Sequence, residues 1–126
     1  MPAEQLATRI ISSLGQIDGY KLRTGRLLNE DWKRVNEAMS QLSGTNLMID
    51  DTAGITIGEI RAKCRRLASS EQGISLIVVD YLQLISGGKN YGTNRQQEVS
   101  DISRSLKTLA LELNVPIIAL SQLSRS

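Results

Sequence analysis

Two short aliphatic runs, "SLIVVD" at residues 75–80 and "PIIALS" at 116–121, constrain this chain more than anything else in it. Each is short for a one-sided helix, and neither alternates with polar residues, so both read as strands buried on two faces. Between them Val99, Ile102, Leu106, Leu109, Ala110 and Leu113 recur at helical spacing, which predicts a long helix over about 97–113. A third run, "NLMID" at 46–50, precedes a further helix marked by Ile57, Ile60, Cys64, Leu67 and Ala68, with Thr56 and Glu59 spaced as a capping box. Strand, helix, strand, helix, strand predicts an α/β fold. Its parallel sheet should carry right-handed helical crossovers, with strands in the order 46–50, 75–80, 116–121.

The N-terminal part reads as helical. Leu6, Ala7, Ile10, Ile11 and Leu14 predict a helix over about 3–14 that stops at Gly15. A second stripe of Trp32, Val35, Ala38, Met39 and Leu42 predicts a helix over about 31–42, with Asn29 as its cap and Gly44 after its end. "GYKLRTGRL" between them reads as a loop, and "ISGGKNYGTNRQ" at 85–96 as a polar, glycine-rich loop.

Composition excludes several classes. Fifteen Lys and Arg against thirteen Asp and Glu leave a net charge of only +2, so any charged site is local rather than a field over the whole surface. Cys64 is the single cysteine and there is no histidine, which excludes an internal disulfide and leaves no cluster with metal-ligand spacing. Neither a leader-like start nor a membrane-spanning apolar stretch is present, so a soluble cytoplasmic protein is expected. Aromatics are 3% of the chain and Phe is absent, so the core must come from Ile, Leu, Val and Ala.

In open parallel sheets ligands bind where the carboxyl ends of adjacent strands meet, which would direct Asp50, Asp51, Asp80 and Ser121 to one edge. An apolar strand ending in Asp is the Walker B pattern, in which the acid holds Mg²⁺ beside nucleotide phosphates. A turn-forming or helix-capping Asp is the competing reading. Ser121 and Gln122, ending the next strand, would place an uncharged amide near Asp80 where it could sense a terminal phosphate; they read equally as turn residues. The basic residues Arg61, Lys63, Arg65 and Arg66 read as a solvated helix face rather than a nucleic-acid track.

Longer stretches carry a resemblance. "IVVDYLQLI", "NRQQEVSDISRSLKTLALELNVPIIALSQLSRS", "LRTGRL", "EDW" and "IDDTAGI", spread through essentially the whole chain, resemble the helicase domain of the bacterial hexameric replicative DNA helicases, the DnaB family. The resemblance implies an incomplete RecA-like P-loop NTPase core over 1–126, an internal part of the family's C-terminal ATPase domain. It further implies an ATP-dependent enzyme that translocates on single-stranded DNA and unwinds the duplex at the replication fork. ATP and Mg²⁺ are the implied cofactors, and a homohexamer, primase and a helicase loader the implied partners. Residue by residue, Asp80 matches the Walker B acid and metal ligand, Gln122 matches the residue that reads the γ-phosphate, and Ser121 lies beside it. The loop from Gly87 to Arg95 matches one that faces the central channel, with Lys89, Tyr91 and Arg95 as DNA contacts. Lys and Arg neutralise phosphates and Tyr can stack on a base, although a solvated glycine-rich loop would look the same.

Parts of the family pattern are absent from these residues. No Gly-rich loop ending in Gly-Lys-Ser/Thr occurs, so the phosphate-loop strand is expected to be missing. The family's catalytic Glu belongs to a Ser-Leu-Glu-Met segment whose last residue Met1 matches, and the arginine finger is expected beyond "LSRS". Tyr81, next to Asp80, cannot serve as the base. The segment alone is therefore expected to be inactive. A phosphoacceptor receiver domain is the alternative, since Asp50, Asp51 and Asp80 imitate its acids. A receiver, however, would place the acid pair after its first strand and a Lys after its last, and here two helices precede the pair while "LSRS" lacks Lys. A pure interaction module has no positive sign in the sequence.

Overall fold

The computed structural model describes residues 2–87 and 94–122, which fall into two compact units, one ending at Asp51 and the other beginning at Thr52. The first unit contains α1 (Ala3–Gly15), α2 (Gly19–Thr24) and α3 (Asn29–Ser43), with α1 packed on α2 and α3. Helix α1 ends one residue later than the sequence suggests and for a different reason. The left-handed position is Gln16 at φ 52°, whereas Gly15 is still helical. A Cβ on Gly15 would lie 2.7 Å from Ile17 Cδ1 and 3.2 Å from the Arg34 carbonyl oxygen, so what the glycine provides is close approach to α3.

The expected loop at 19–27 contains a helix instead. Asp18 accepts a hydrogen bond from the Tyr20 N–H at 2.8 Å and so caps α2, which stops at Gly25 with φ 75°. Asn29 does not cap α3 but is its first residue. The cap position is Leu28, whose N–H donates to the buried Asp31 carboxylate at 3.0 Å, the backward-reaching half of a capping box. The buried stripe of α3 is Asp31, Val35 and Ala38, while Trp32 and Met39, seven residues apart on the flank of that stripe, are about half exposed at 50% and 51%. No strand forms at 46–50. Leu47 and Met48 are exposed and the segment pairs with nothing in a sheet, because a strand exists only through a partner's backbone groups. The expected three-stranded order is therefore corrected to two strands among the described residues.

The second unit holds α4 (Ile57–Ala68), β1 (Ile77–Val79), a 3₁₀ turn at Leu82–Leu84, α5 (Arg95–Leu113) and β2 (Ile117–Ala119). Thr56 caps α4 by accepting from the Glu59 N–H at 3.1 Å, and its hydroxyl donates to the Glu59 carboxylate at 3.2 Å. Asn94 caps α5 through the Gln97 N–H, and Asn114 ends it in the left-handed region. Strands β1 and β2 are parallel, in the register Ile77–Ile117, Val78–Ile118, Val79–Ala119, with α5 packed against β2 and the 3₁₀ turn. Ile57, Leu82, Ile85, Ile102 and Leu106 form the core, with Ile55, Ile60, Val79 and Val99 packed on it. Cys64 is buried, and that burial pushes its thiol pKa up. Among the described residues the sheet is covered on one side only: Leu76, Val78, Ile118 and Leu120, alternate residues in and beside the two strands, are 46–58% exposed. Among the described residues no helix is long and apolar enough to cross a membrane.

Candidate functional site

The parallel pairing brings the ends of β1 and β2 to one edge. Its ladder continues past the strands, with the Leu120 N–H donating to the Val79 carbonyl and the Leu82 N–H to the Leu120 carbonyl, each at 2.9 Å. Asp80 leaves the sheet at this edge with its side chain exposed, and the peptide bond to Tyr81 is cis. Ser121 and Gln122 leave at the same edge and are also exposed. The structure thus groups the three residues that the sequence assigned to the nucleotide side.

Asp50 and Asp51 do not end a strand, which corrects the expectation that they would join that edge. Asp51 instead accepts the Ala3 N–H at 2.9 Å, which satisfies an open donor at the start of α1 and puts negative charge at the positive end of its dipole. The acid pair at a strand end on which the receiver reading rests is therefore absent from the fold.

What holds the edge together is a residue that the motifs did not single out. Gln83, half-buried in the 3₁₀ turn, donates from Nε2 to Ser121 Oγ and to the Gln122 carbonyl, both at 3.0 Å, and its Oε1 accepts the Gln122 N–H at 3.1 Å. One amide thereby pairs with both polar groups of one residue's main chain, as a neighbouring strand would. The signal was present in the sequence, since Gln83 is the lone amide in the apolar run "YLQLI".

Arg95 is engaged on the other side of that turn. Its guanidinium donates to the carbonyl oxygens of Gln83 and, at 3.3 Å, Ile85, and it is ion-paired with Glu98. Glu98 in turn accepts the Gly87 N–H at 3.3 Å, so Arg95 and Glu98 fasten the start of α5 to residues 83–87. Lys89 and Tyr91, the other candidate DNA contacts, lie outside the described residues.

The basic face of α4 is only partly a solvated face. Arg65 forms a two-pronged pair with Glu112 of α5, at 2.6 and 2.7 Å, which raises the Arg65 pKa and holds the Glu112 carboxyl below its usual range. With Arg61, Arg104 and Asp101 this pair lines a cleft of about 600 Å³ between α4 and α5.

No group of three or more acidic, His or Cys residues able to hold a metal occurs among the described residues. A single carboxylate such as Asp80 fits an ion whose remaining ligands are phosphate oxygens and water, the usual manner of Mg²⁺ beside a nucleotide. Two parallel strands flanking a helical crossover, with an acid ending one and Ser-Gln ending the other, form a parallel α/β unit consistent with part of the expected RecA-like core.

Comparison with known proteins then fixes the family. The model of the DnaB-like helicase C terminal domain matches residues 1–126, and the chain belongs to that family. It is 56% identical over 125 residues to the replicative DNA helicase DnaC of Bacillus subtilis, covering 99% of this chain and 27% of that protein. It is also 56% identical over 126 residues to the replicative DNA helicase DnaB of Geobacillus stearothermophilus, covering 100% of this chain and 28% of the relative. Among solved structures, a DnaB-like replicative helicase, described together with its interactions with primase, superposes with a TM-score of 0.89 at 35% identity, over 99% of this chain and 30% of its own. A second solved structure, of an ATPase domain, gives the same TM-score and identity over 99% of this chain and 45% of that one. The chain thus spans little more than a quarter of the length of the curated relatives it matches.

Proposed function

We propose that these residues are part of the motor of an ATP-dependent replicative DNA helicase, and that the edge formed by Asp80, Ser121 and Gln122 faces the nucleotide. The observation that carries this reading is the convergence of Asp80 with Ser121 and Gln122 at the carboxyl edge of a parallel pair, in a chain of this family. Asp80 would hold Mg²⁺, which supplies positive charge to neutralise the phosphate oxygens during phosphoryl transfer. Gln122 is uncharged, so it can hydrogen-bond the terminal phosphate without competing for the ion. Ser121 adds a hydroxyl, and Gln83 holds the main chain beneath both. Lys89, Tyr91 and Arg95 would contact single-stranded DNA, with Arg95 also tied to the 3₁₀ turn. A homohexamer, contacts with primase and a helicase loader, and a cytoplasmic setting complete the reading.

In the full-length protein that carries this sequence, Asp80→Ala is expected to abolish Mg²⁺-dependent ATP turnover and unwinding. ATPase and strand-displacement assays check this. An active variant would reduce Asp80 to a turn residue.

A further inference from the structure

Resting on that reading, we propose that Gln83 is a positioning residue that couples the nucleotide edge to the DNA side of the motor. The geometry is a continuous set of hydrogen bonds within one unit. The Gln83 amide grips the Gln122 main chain at two points, 3.0 Å from its carbonyl and 3.1 Å from its N–H, and Ser121 at a third. The Gln83 carbonyl, on the same residue, accepts the Arg95 guanidinium. Arg95 is paired with Glu98, and Glu98 accepts the Gly87 N–H.

Two-point contact with a single residue's backbone fixes its rotation as well as its position. A displacement of Gln122 on meeting a terminal phosphate is therefore passed to Gln83 rather than absorbed by a swivelling side chain. The 3₁₀ turn around Gln83 is itself braced, with the Leu84 N–H on the Tyr81 carbonyl at 3.0 Å and the Ile85 N–H on the Leu82 carbonyl at 3.1 Å. Displacement of the turn then reaches Arg95 through its contacts with the Gln83 and Ile85 carbonyls. A hydrophobic residue at position 83 would fill the same space but release Ser121 and Gln122, leaving the turn joined to the end of β2 only by the main-chain bond from Leu82 to Leu120.

Coupling between two ligands is a free energy and acts in both directions, so it can be read from either side. The measurement is the dissociation constant of single-stranded DNA for the full-length protein in ADP and in a non-hydrolysable ATP analogue, with the reciprocal effect of DNA on analogue affinity. Wild type is expected to show a ratio of about fivefold or more, within the usual range of allosteric coupling. Gln83→Leu is expected to bring that ratio close to one in both directions. Gln83→Glu keeps the size and an acceptor for the Gln122 N–H but loses the Nε2 donors, and is expected to fall between the two; it preserves the test should the leucine variant fold poorly. A role confined to stability would lower the melting temperature and shift both affinities in parallel, leaving the ratio intact. A wild-type ratio that survives both substitutions overturns the relay alone. A wild-type ratio of one overturns the relay, and an Asp80→Ala protein that binds Mg²⁺-nucleotide as wild type does overturns the reading beneath it.

Discussion

Gln16 sits at φ 52°, a conformation that costs a residue with a Cβ roughly 1 kcal/mol, whereas glycine adopts it freely. Gln16→Gly is therefore expected to stabilise the 1–51 unit by up to about 1 kcal/mol after the entropy that glycine adds to the unfolded chain, as measured by urea denaturation. Gly15→Ala should do the opposite, because its methyl would press on Ile17 and on a backbone oxygen of Arg34 that cannot step aside. The sequence located the helix end to within one residue but credited the wrong one, since periodicity marks where a stripe stops and not which residue turns left. In the second unit Ile102 is 1% exposed at the centre of the core, and Ile102→Ala is expected to cost about 2–5 kcal/mol in the same assay. On the DNA side, Lys89→Ala should flatten the slope of log affinity against log salt for single-strand binding by about 0.7, the share of one neutralised phosphate. Arg95→Ala would not be so clean a probe, because it also releases the start of α5 from Gln83 and Ile85.

At the scale of elements, α4 and α5 are joined at their surface by the Arg65–Glu112 fork. Hydrogen bonding to Arg65, opposed by desolvation and aided by the charges of Arg65 and Arg61, holds the Glu112 carboxyl below its ordinary pKa. A carboxyl depressed in the folded state contributes stability above its unfolded pKa, near ~4.3, and loses it as the pH falls through the lower folded value. The stability difference between wild type and Glu112→Gln is therefore expected to be small at pH 7, as for any exposed pair, and to disappear in acid-unfolding curves once the pH has fallen through the depressed pKa of the folded carboxyl. Helices α1, α3, α4 and α5 were legible because each carries a 3.6-residue apolar stripe, and β1 and β2 because their runs are aliphatic and bounded by turn residues. Helix α2 was hidden because six residues make too short a window for periodicity, and only the Asp18 cap announced it. The run at 46–50 misled because its composition suits a strand, but strand formation depends on a neighbour that composition cannot reveal. At the site, Asp80, Ser121 and Gln122 were readable as strand-end residues. Gln83 stood out only as a lone amide in an apolar run, and neither its role nor that of Glu98 was readable, because their partners are 39 and 11 residues away in the chain and the fold alone brings them together.

At the scale of the whole molecule, the sheet has only two strands among the described residues, with an apolar face at Leu76, Val78, Ile118 and Leu120. An unpaired edge beside exposed aliphatic side chains recruits further strands. A polypeptide of these 126 residues is therefore expected to self-associate as its concentration rises, with incomplete amide protection along the outer edge of 117–120; light scattering and hydrogen exchange check this. Lacking a phosphate-loop lysine, the same polypeptide should show no ATP turnover above background. The division into two units also equips the molecule with its own reporters. Trp32, the single tryptophan, lies half-exposed on α3 in the first unit, and Cys64, the single cysteine, is buried in the second. Indole emission follows one half, while the rate at which a thiol reagent modifies the chain follows the other. Run side by side through a denaturant series, the two signals will coincide if the halves melt as one cooperative body and part company if they do not, with no label or engineered probe required.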